Sequence, residues 1–317
     1  MRKIAALPGV DKGAGRLYNK RNECRGAKRG MRRRIPAAGL LLLLLLWPLG
    51  ARTEETVTAC GITVSADATA IDFGEVVVTD VDELVTFLDG MPQLETVDMY
   101  ASKLSKTDMD MLFTRYPQIT FGWTYRVGDH TVRTDITAFS TLHGTCPDPS
   151  HSEREFQWLK FCKGLKAIDV GHNWITDVSF VTNFPELKVL ILAVSPITDI
   201  TPLAELKELE YLELFTNRVT DITPLTELTN LRDLNLKNNP VTDLTPLFGM
   251  TWLERLWVGG PRMEKVPKEQ IGQLYEALPD CEIDWDSQPT GGTWREHPHY
   301  DTIYRMFRTQ VYEPFDM

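Results

Sequence analysis

Five leucines recur at a fixed interval of 22 residues, and this repeat constrains the fold more than any other feature of the sequence. They are Leu165, Leu187, Leu209, Leu231 and Leu253. Each opens the pattern Leu-x-x-Leu-x-Leu-x-x-Asn or a close variant, with Ser195 and Pro261 in place of the asparagine in the second and fifth copies. A fixed period of this length is typical of a solenoid, in which similar units stack along one axis.

The local pattern of each unit predicts a strand followed by a helical turn. In the third copy Leu212 and Leu214 alternate with Tyr211, Glu213 and Phe215, which is the alternation of a strand buried on one face. The Thr-Pro-Leu that follows predicts a short helical turn with threonine as its N-cap and proline at the first helical position. One unit cannot bury its leucines alone, so adjacent coils must share a core. The expected fold is an α/β solenoid, a leucine-rich-repeat horseshoe with parallel concave strands and short convex helical turns.

A longer and more degenerate repeat precedes the five copies and predicts an α/β N-terminal capping region. Strand ends at 71–73 and 97–99 are each followed by a helical pattern, over 81–91 and 106–116. One strand over 119–127 and a hairpin through Gly128 complete the cap. Register places Cys162 at an interior position of a half-repeat.

The basic N-terminal segment predicts export. Met31 and three arginines precede Leu40–Leu46, an apolar run too short for the roughly 20 residues that a membrane-spanning helix needs. A cationic segment, a short apolar run and then small residues are typical of a secretory signal peptide. We therefore expect a secreted or cell-surface protein with no stable membrane span once the signal is removed. An uncleaved anchor, lipidation of Cys60, and a start at Met1 or Met31 remain open.

The predicted organisation follows from these patterns. Residues 1–30 are an extension that is either untranslated or disordered, and residues 31–52 are the signal peptide. The N-terminal cap covers 53–140, a loop and half-repeat cover 141–164, the five repeats cover 165–274, and a C-terminal cap and tail cover 275–317.

Charge and cysteine content limit the partners of the exported part. Residues 1–52 hold 13 of the 34 Lys and Arg but only two acids, which leaves 21 basic and 42 acidic side chains in the remainder. So acidic a surface repels phosphate backbones, and no nucleic-acid partner is expected. Four cysteines follow the signal, and their disulfide pairing stays open: Cys60, Cys146, Cys162 and Cys281.

The sequence carries no catalytic motif, and we expect neither an enzyme nor a cofactor or metal site. Four aspartates recur at the 22-residue period, each just before a helical turn, where a carboxylate can bond local amides: Asp177, Asp199, Asp221 and Asp243. The pair His297 and His299, with Asp301, lies in the tail and is expected to be incidental. Replacing either histidine by alanine should then leave stability nearly unchanged.

The outward side chains of the predicted concave strands form the candidate partner-binding site. They are Val189, Ile191, Tyr211, Glu213, Phe215, Asn235, Lys237 and Trp257. Because these columns do not repeat from coil to coil, they favour an irregular protein or peptide partner over a repetitive polymer. Four of them form an apolar cluster that we expect to be exposed, and exposed clusters commonly mark interaction sites. The alternative is that the loop 143–152 or the C-terminal tail covers the cluster.

The repeats over 187–208, 209–230 and 231–252 resemble the 22-residue class of bacterial internalins. More broadly, residues 55–317 are similar to secreted leucine-rich-repeat proteins of Gram-positive gut bacteria, notably over 132–140, 190–193 and 291–298. Kinship with internalins implies protein recognition on the concave face. The function expected is an exported binding module for an unidentified protein or peptide, without catalysis. The alternative is a structural component of the cell envelope that contacts carbohydrate or peptidoglycan.

Overall fold

The N-terminal cap is a small α/β arrangement in the computed structural model, which describes residues 55–141, 151–286 and 297–315. It opens with an antiparallel hairpin of β1 (Thr56–Ala59) and β2 (Ile62–Ser65). A parallel three-stranded sheet follows, made of β3 (Ala70–Asp72), β4 (Thr96–Asp98) and β5 (Thr120–Gly122), with helices α1 (Val81–Asp89) and α2 (Lys106–Arg115) as crossovers. A second hairpin joins β6 (Thr124–Val127) and β7 (His130–Arg133).

Several sequence-based expectations fall outside the described residues. They concern the extension and signal peptide over 1–52, Cys146 in the loop after position 141, and residues 291–296 of the tail. Cys60, the candidate lipid acceptor, is described, and it lies at the turn between β1 and β2 with φ 51°.

The prediction of a single strand over 119–127 is wrong. The strand is interrupted at Trp123, and β5 and β6 on either side of it pair in different sheets. Trp123 is fully buried, stacks on Phe121 at 4.9 Å and meets Phe161 edge-on at 5.4 Å. Its main-chain N–H donates to Oγ1 of Thr134 rather than to a neighbouring strand. Anchoring this ring in the core therefore ends one sheet and starts the other.

A seven-stranded parallel sheet carries the repeats. Its strands, in spatial order, are β8 (Ala138–Ser140), β9 (Ala167–Asp169), β10 (Val189–Ile191), β11 (Tyr211–Glu213), β12 (Asp233–Asn235), β13 (Arg255–Gly259) and β14 (Glu282–Asp286). Leu190 pairs with Leu212, Leu212 with Leu234 and Leu234 with Leu256. One 22-residue unit is therefore one coil of the solenoid. The sheet extends past the repeats at both ends, through β8 and β14.

Single-turn 3-10 helices form the opposite side of the coils, at Gln157–Phe161, Ser179–Asn183, Thr201–Glu205, Thr223–Glu227 and Thr245–Gly249. The expectation that threonine caps these turns is wrong. The capping acceptor is the aspartate two positions earlier, as when Oδ1 of Asp199 accepts from the main-chain N–H of Thr201 at 2.8 Å. Asp177, Asp221 and Asp243 do the same. The predicted local role of these aspartates is confirmed.

The repeat asparagines tie adjacent coils together from inside. Nδ2 of Asn217, which is fully buried, donates to the carbonyl oxygens of Leu192 and Leu214 at 2.9 and 3.0 Å. Its Oδ1 accepts from the main-chain N–H of Ile197 at 3.2 Å. Asn239 makes the same three contacts one coil further on. The side-chain amide thus satisfies main-chain groups that a strand or helix would satisfy elsewhere.

One hydrophobic core runs from the cap through the repeats. Cys162 lies inside it, as register predicts, and its Sγ is 3.3 Å from the hydroxyl of Tyr125. Burial raises the pKa of this thiol to about 12, so it remains protonated at neutral pH.

The remaining helices are the four-residue α3 (Glu153–Phe156), α4 (Lys268–Ala277) and α5 (Tyr300–Thr309). Within the described ranges, none of the helices has both the length and the apolar character that crossing a membrane requires.

Candidate functional site

All eight predicted site residues lie on the concave side of the sheet, but they are not freely exposed. Val189, Ile191, Tyr211 and Lys237 are buried, and Glu213, Phe215, Asn235 and Trp257 are half-buried. The expectation of an exposed apolar cluster is therefore wrong.

Helix α5 covers this surface. Three of its side chains, Ile303, Met306 and Phe307, form one apolar stripe and pack with Val189 and the neighbouring apolar residues of the strands. The other members of this apolar cluster are Ala138, Ala167, Val189, Ile191 and Tyr211 on the strands and Ala193 just after β10. Removing a large apolar side chain from water gains about 1.5–3 kcal/mol, which is why the sheet is covered and not left open. The alternative in which the C-terminal tail covers the cluster is the one observed.

The main chain after α5 is fixed to the edge of the sheet. The carbonyl oxygen of Gln310, which ends the helix with φ 60°, accepts from the N–H groups of Thr137 and Ala138 at 3.1 Å each. Arg305 forms an ion pair with Glu313 at 2.6 Å, which folds the end of the chain back on the helix. We call residues 297–315 the C-terminal segment.

A polar cluster lies under the start of the C-terminal segment. Nε of Arg255 is 2.7 Å from Oδ1 of Asp233, and Nε2 of His297 and of His299 each lie 3.6 Å from Oδ2 of the same carboxylate. The Arg255 contact is an ion pair without the alignment of a hydrogen bond, and the two imidazole nitrogens lie beyond hydrogen-bond distance, so both carboxylate oxygens lack an aligned donor among the described residues. His297 is also packed between Tyr211 and Trp257, with ring centres 5.3 and 5.1 Å away. The two histidines, expected to be incidental, are therefore part of the covered face.

Two further carboxylates are covered on the concave face, and burial raises the pKa of both. The pKa of Asp169 is raised to about 6, although its carboxylate accepts from Oγ of Ser140 and from the N–H of Gly171. The pKa of Glu213 is raised to about 7, despite a hydrogen bond from the hydroxyl of Tyr211. These groups charge and discharge between pH 5 and 8, in contrast to ordinary surface acids.

In the part of the chain that the structure describes, no group of three or more histidine, cysteine, aspartate or glutamate side chains is arranged to hold a metal ion. The described cysteines, Cys60, Cys162 and Cys281, are unpaired with one another.

The sequence left open what covers this face, and the residues of the C-terminal segment that do so were not identified from it. The sequence does contain a pattern that indicates this role. Ile303, Met306 and Phe307 have the i, i+3, i+4 spacing of an amphipathic helix, and aromatic residues follow at Tyr312 and Phe315. Phe315 stacks on His299 at 4.1 Å and approaches Tyr211 at 6.0 Å. The missed residues are those that decide whether the concave face is open.

Residues 185–227 match the family model described as Leucine Rich repeats (2 copies). No curated protein matches the chain.

Among solved structures, the chain is similar to an internalin (inlF) from Listeria monocytogenes with 23% identity, 69% of this chain and 57% of that chain covered, and a TM-score of 0.35. It is also similar to internalin C2 of the same species. The identity is 27%, the alignment covers 49% of this chain and 76% of that chain, and the TM-score is 0.33. A leucine-rich-repeat protein of Leptospira interrogans aligns with 19% identity and a TM-score of 0.39. The alignment covers 68% of this chain and 54% of that chain. The chain thus spans little more than half the length of the first and third of these proteins. The matched repeats and the one-coil register of the parallel sheet identify the fold as a leucine-rich-repeat solenoid.

Proposed function

We propose that this protein is an exported, non-catalytic leucine-rich-repeat module that recognises a protein or peptide partner through its concave face. The observation that carries the proposal is the docking of the C-terminal segment on that face through Ile303, Met306 and Phe307. A surface that receives an amphipathic helix of its own chain has the apolarity to receive a similar helix from a partner. The proposed contacts are Val189, Ile191, Tyr211, Glu213, Phe215, Asn235, Lys237 and Trp257.

An external partner on this surface must compete with the C-terminal segment. A tethered segment acts at an effective concentration on the order of millimolar, so the covered state dominates unless the partner binds more tightly than the segment does. The proposed module is therefore opened by its partner.

The competition can be measured with a fluorescently labelled peptide of residues 297–315. The Met306→Lys, Phe307→Lys double variant of the whole chain should release its own segment and bind the peptide. The wild-type chain should bind it at least about tenfold more weakly, because its own segment occupies the site. Arg308→Lys, an exposed position on the same helix, is the matched control and should behave as wild type.

A double variant that remains folded and fails to bind the peptide would contradict the proposed peptide-binding surface. If it binds, the same pair of chains can serve as bait for proteins secreted by gut bacteria and by host cells. A genuine partner should be captured by the double variant in preference to wild type, and free peptide 297–315 should release it.

Export is part of the same proposal, together with the likeness to secreted proteins of Gram-positive gut bacteria. N-terminal sequencing of protein recovered from culture medium should find a chain that begins near residue 51 or 52. A cytosolic product that keeps Leu40–Leu46 would contradict export without affecting the proposal for the concave face.

A further inference from the structure

An open groove of about 380 Å³ lies beside the concave face, past the carboxyl ends of β9, β10 and β11. The side chains that give it its chemistry are Trp174, Val194, Pro196, Thr216, Arg218 and Arg262. It adjoins the surface that the C-terminal segment covers, because Val194 lines the groove and also packs against the covered apolar cluster. The proposed function does not account for the groove.

The groove is cationic on an acidic protein. Arg218 and Arg262 are exposed, and neither has a carboxylate partner within ion-pair distance among the described residues. Among the other exposed arginines of the described residues, Arg115 and Arg133 have such a partner, whereas Arg154 and Arg308 do not. No aspartate or glutamate lines the groove in the described structure. A local excess of positive charge, on a chain with twice as many acids as bases after residue 52, attracts a short anionic segment.

Arg262 is held in position for such a contact. Its Nη1 donates to the main-chain carbonyl oxygen of Asn217 at 2.8 Å, across an intervening coil. Asn217 lies between Thr216 and Arg218, so this bond brings the two guanidinium groups to the same part of the groove. A guanidinium that uses one nitrogen in this way keeps further donors in a fork that matches a carboxylate.

Trp174 supplies an apolar wall. Its side chain is 65% exposed, more than that of any other large apolar residue in the described structure. Pro196 and Val194 lie across the groove from it in the next coil. An indole left in water contributes little to folding, and tryptophan beside arginine is typical of residues that dominate binding energy at interfaces.

The floor of the groove is rigid and strained. Val194 and Thr216 have φ of 57° and 55°, in the left-handed region that β-branched residues rarely adopt. Each is fixed there by a main-chain hydrogen bond to the next coil, Val194 N–H to Phe215 and Thr216 N–H to Lys237, at 2.7 and 3.0 Å. The same conformation and bond recur at His172 and Asn238, the equivalent positions of the neighbouring coils, so they belong to the repeat and give the groove a fixed main-chain framework.

We propose that this groove binds a short acidic segment of a protein partner, with two carboxylate side chains on Arg218 and Arg262 and an apolar side chain on Trp174 at the other end of the groove. Coils spaced about 4.8 Å apart give three coils a span of about 10 Å, which is three residues of extended chain. Long polyanions are disfavoured, because the acidic remainder of the surface repels them beyond the groove.

The probe is a fluorescein-labelled peptide Gly-Phe-Asp-Glu-Gly, and its matched control is the amide analogue Gly-Phe-Asn-Gln-Gly. Fluorescence anisotropy with the whole chain at low salt should show binding of the acidic peptide, and binding of the amide analogue weaker by about tenfold or more, because the analogue keeps the shape and loses both carboxylate charges. Arg218→Ala, Arg262→Ala and Trp174→Ala should each weaken binding several-fold. Arg308→Ala removes an exposed charge elsewhere and should leave it unchanged.

Equal affinity for the two peptides, or full affinity in the Arg218→Ala, Arg262→Ala double variant, would overturn the proposal. Tighter binding of an acidic oligosaccharide through the same two arginines would also overturn it, in favour of a glycan. The Met306→Lys, Phe307→Lys chain should bind the acidic peptide as wild type does, so failure of the groove and failure of the concave face are distinguishable.

Discussion

The main-chain N–H of Tyr312 donates a hydrogen bond to Oγ1 of Thr137, 2.7 Å away and 175 positions earlier in the sequence. Thr137 directly precedes β8, the edge strand of the seven-stranded sheet. Thr137→Val keeps the shape of the side chain and removes the acceptor, so the free energy of unfolding should fall by about 1 kcal/mol. Urea unfolding measures the loss, and hydrogen exchange should show faster exchange of the Tyr312 amide.

The exposed Thr131 is the control for this change, because Thr131→Val removes a hydroxyl from the neighbouring hairpin without touching the C-terminal segment. Unchanged protection of the Tyr312 amide in Thr137→Val would mean that the carbonyl of Gln310 alone fixes the end of the chain.

His297→Ala should destabilise the protein by about 1–3 kcal/mol, because the change opens a cavity between Tyr211 and Trp257. The sequence-based expectation that this change would leave stability nearly unchanged assumed an exposed side chain. The structure shows that His297 is only 7% exposed. Arg308→Ala, at an exposed site on the same segment, should stay within about 0.5 kcal/mol. Thermal or urea unfolding of the two variants side by side decides the point, and equal stabilities would mean that the segment does not hold the ring there.

Glu213 predicts a pH dependence of stability with a definite sign. Its pKa in the folded protein is raised to about 7, so between about pH 4.5 and pH 7 the folded state holds a proton that the unfolded state has released. The contribution of this group to stability is therefore present at low pH and is lost as the pH rises through that window. Glu213→Gln should raise the free energy of unfolding at pH 8 relative to wild type by about 1–3 kcal/mol, with little difference at pH 4.5.

Unfolding in urea at a series of pH values measures this difference. The exposed Glu264→Gln is the control and should give a difference that does not change with pH. A Glu213→Gln effect equal at pH 4.5 and pH 8 would show that the carboxyl group is not protonated in the folded state.

Asn217→Ala should cost about 3 kcal/mol or more, because it leaves the N–H of Ile197 and the carbonyl oxygens of Leu192 and Leu214 without their partner in a fully buried place. Asn230→Ala removes one bond, to the carbonyl of Lys207, from an exposed position and should cost much less. Similar losses for the two variants, measured by urea unfolding, would argue against the asparagines as the internal support of the coils.

The sequence predicted those parts of the fold that depend on one coil and its neighbour. Leu212 and Leu234 are interior, and Asp199 bonds a local amide, because periodicity reports which face of a coil a residue occupies. The candidate face was predicted in the same way, and all eight of its residues lie together. Periodicity does not report what covers a face. The docking of α5 brings side chains of four strands into one apolar cluster with a helix far along the chain, and no local pattern specifies that pairing.

The break at Trp123 was missed for a related reason, since only the packing of its ring against Phe161 decides where the strand ends. The groove was not predicted, because one of its two arginines comes from a distant part of the sequence. Arg262 belongs to the fifth repeat and reaches past the fourth coil to Asn217 in the third.

The attachment of Tyr312 and Gln310 to the edge strand has a consequence for how the repeats behave as a unit. An open array of repeats can fray from its ends and tolerates the loss or gain of a unit, because each coil contacts only its neighbours. Here the segment that leaves the last coil returns to Thr137 at the first strand of the sheet. The number of coils therefore fixes the distance that the segment must span. Deleting or inserting one 22-residue unit would shorten or lengthen the array by one coil and would change the distance that this closure spans, even though adjacent coils could still stack on one another.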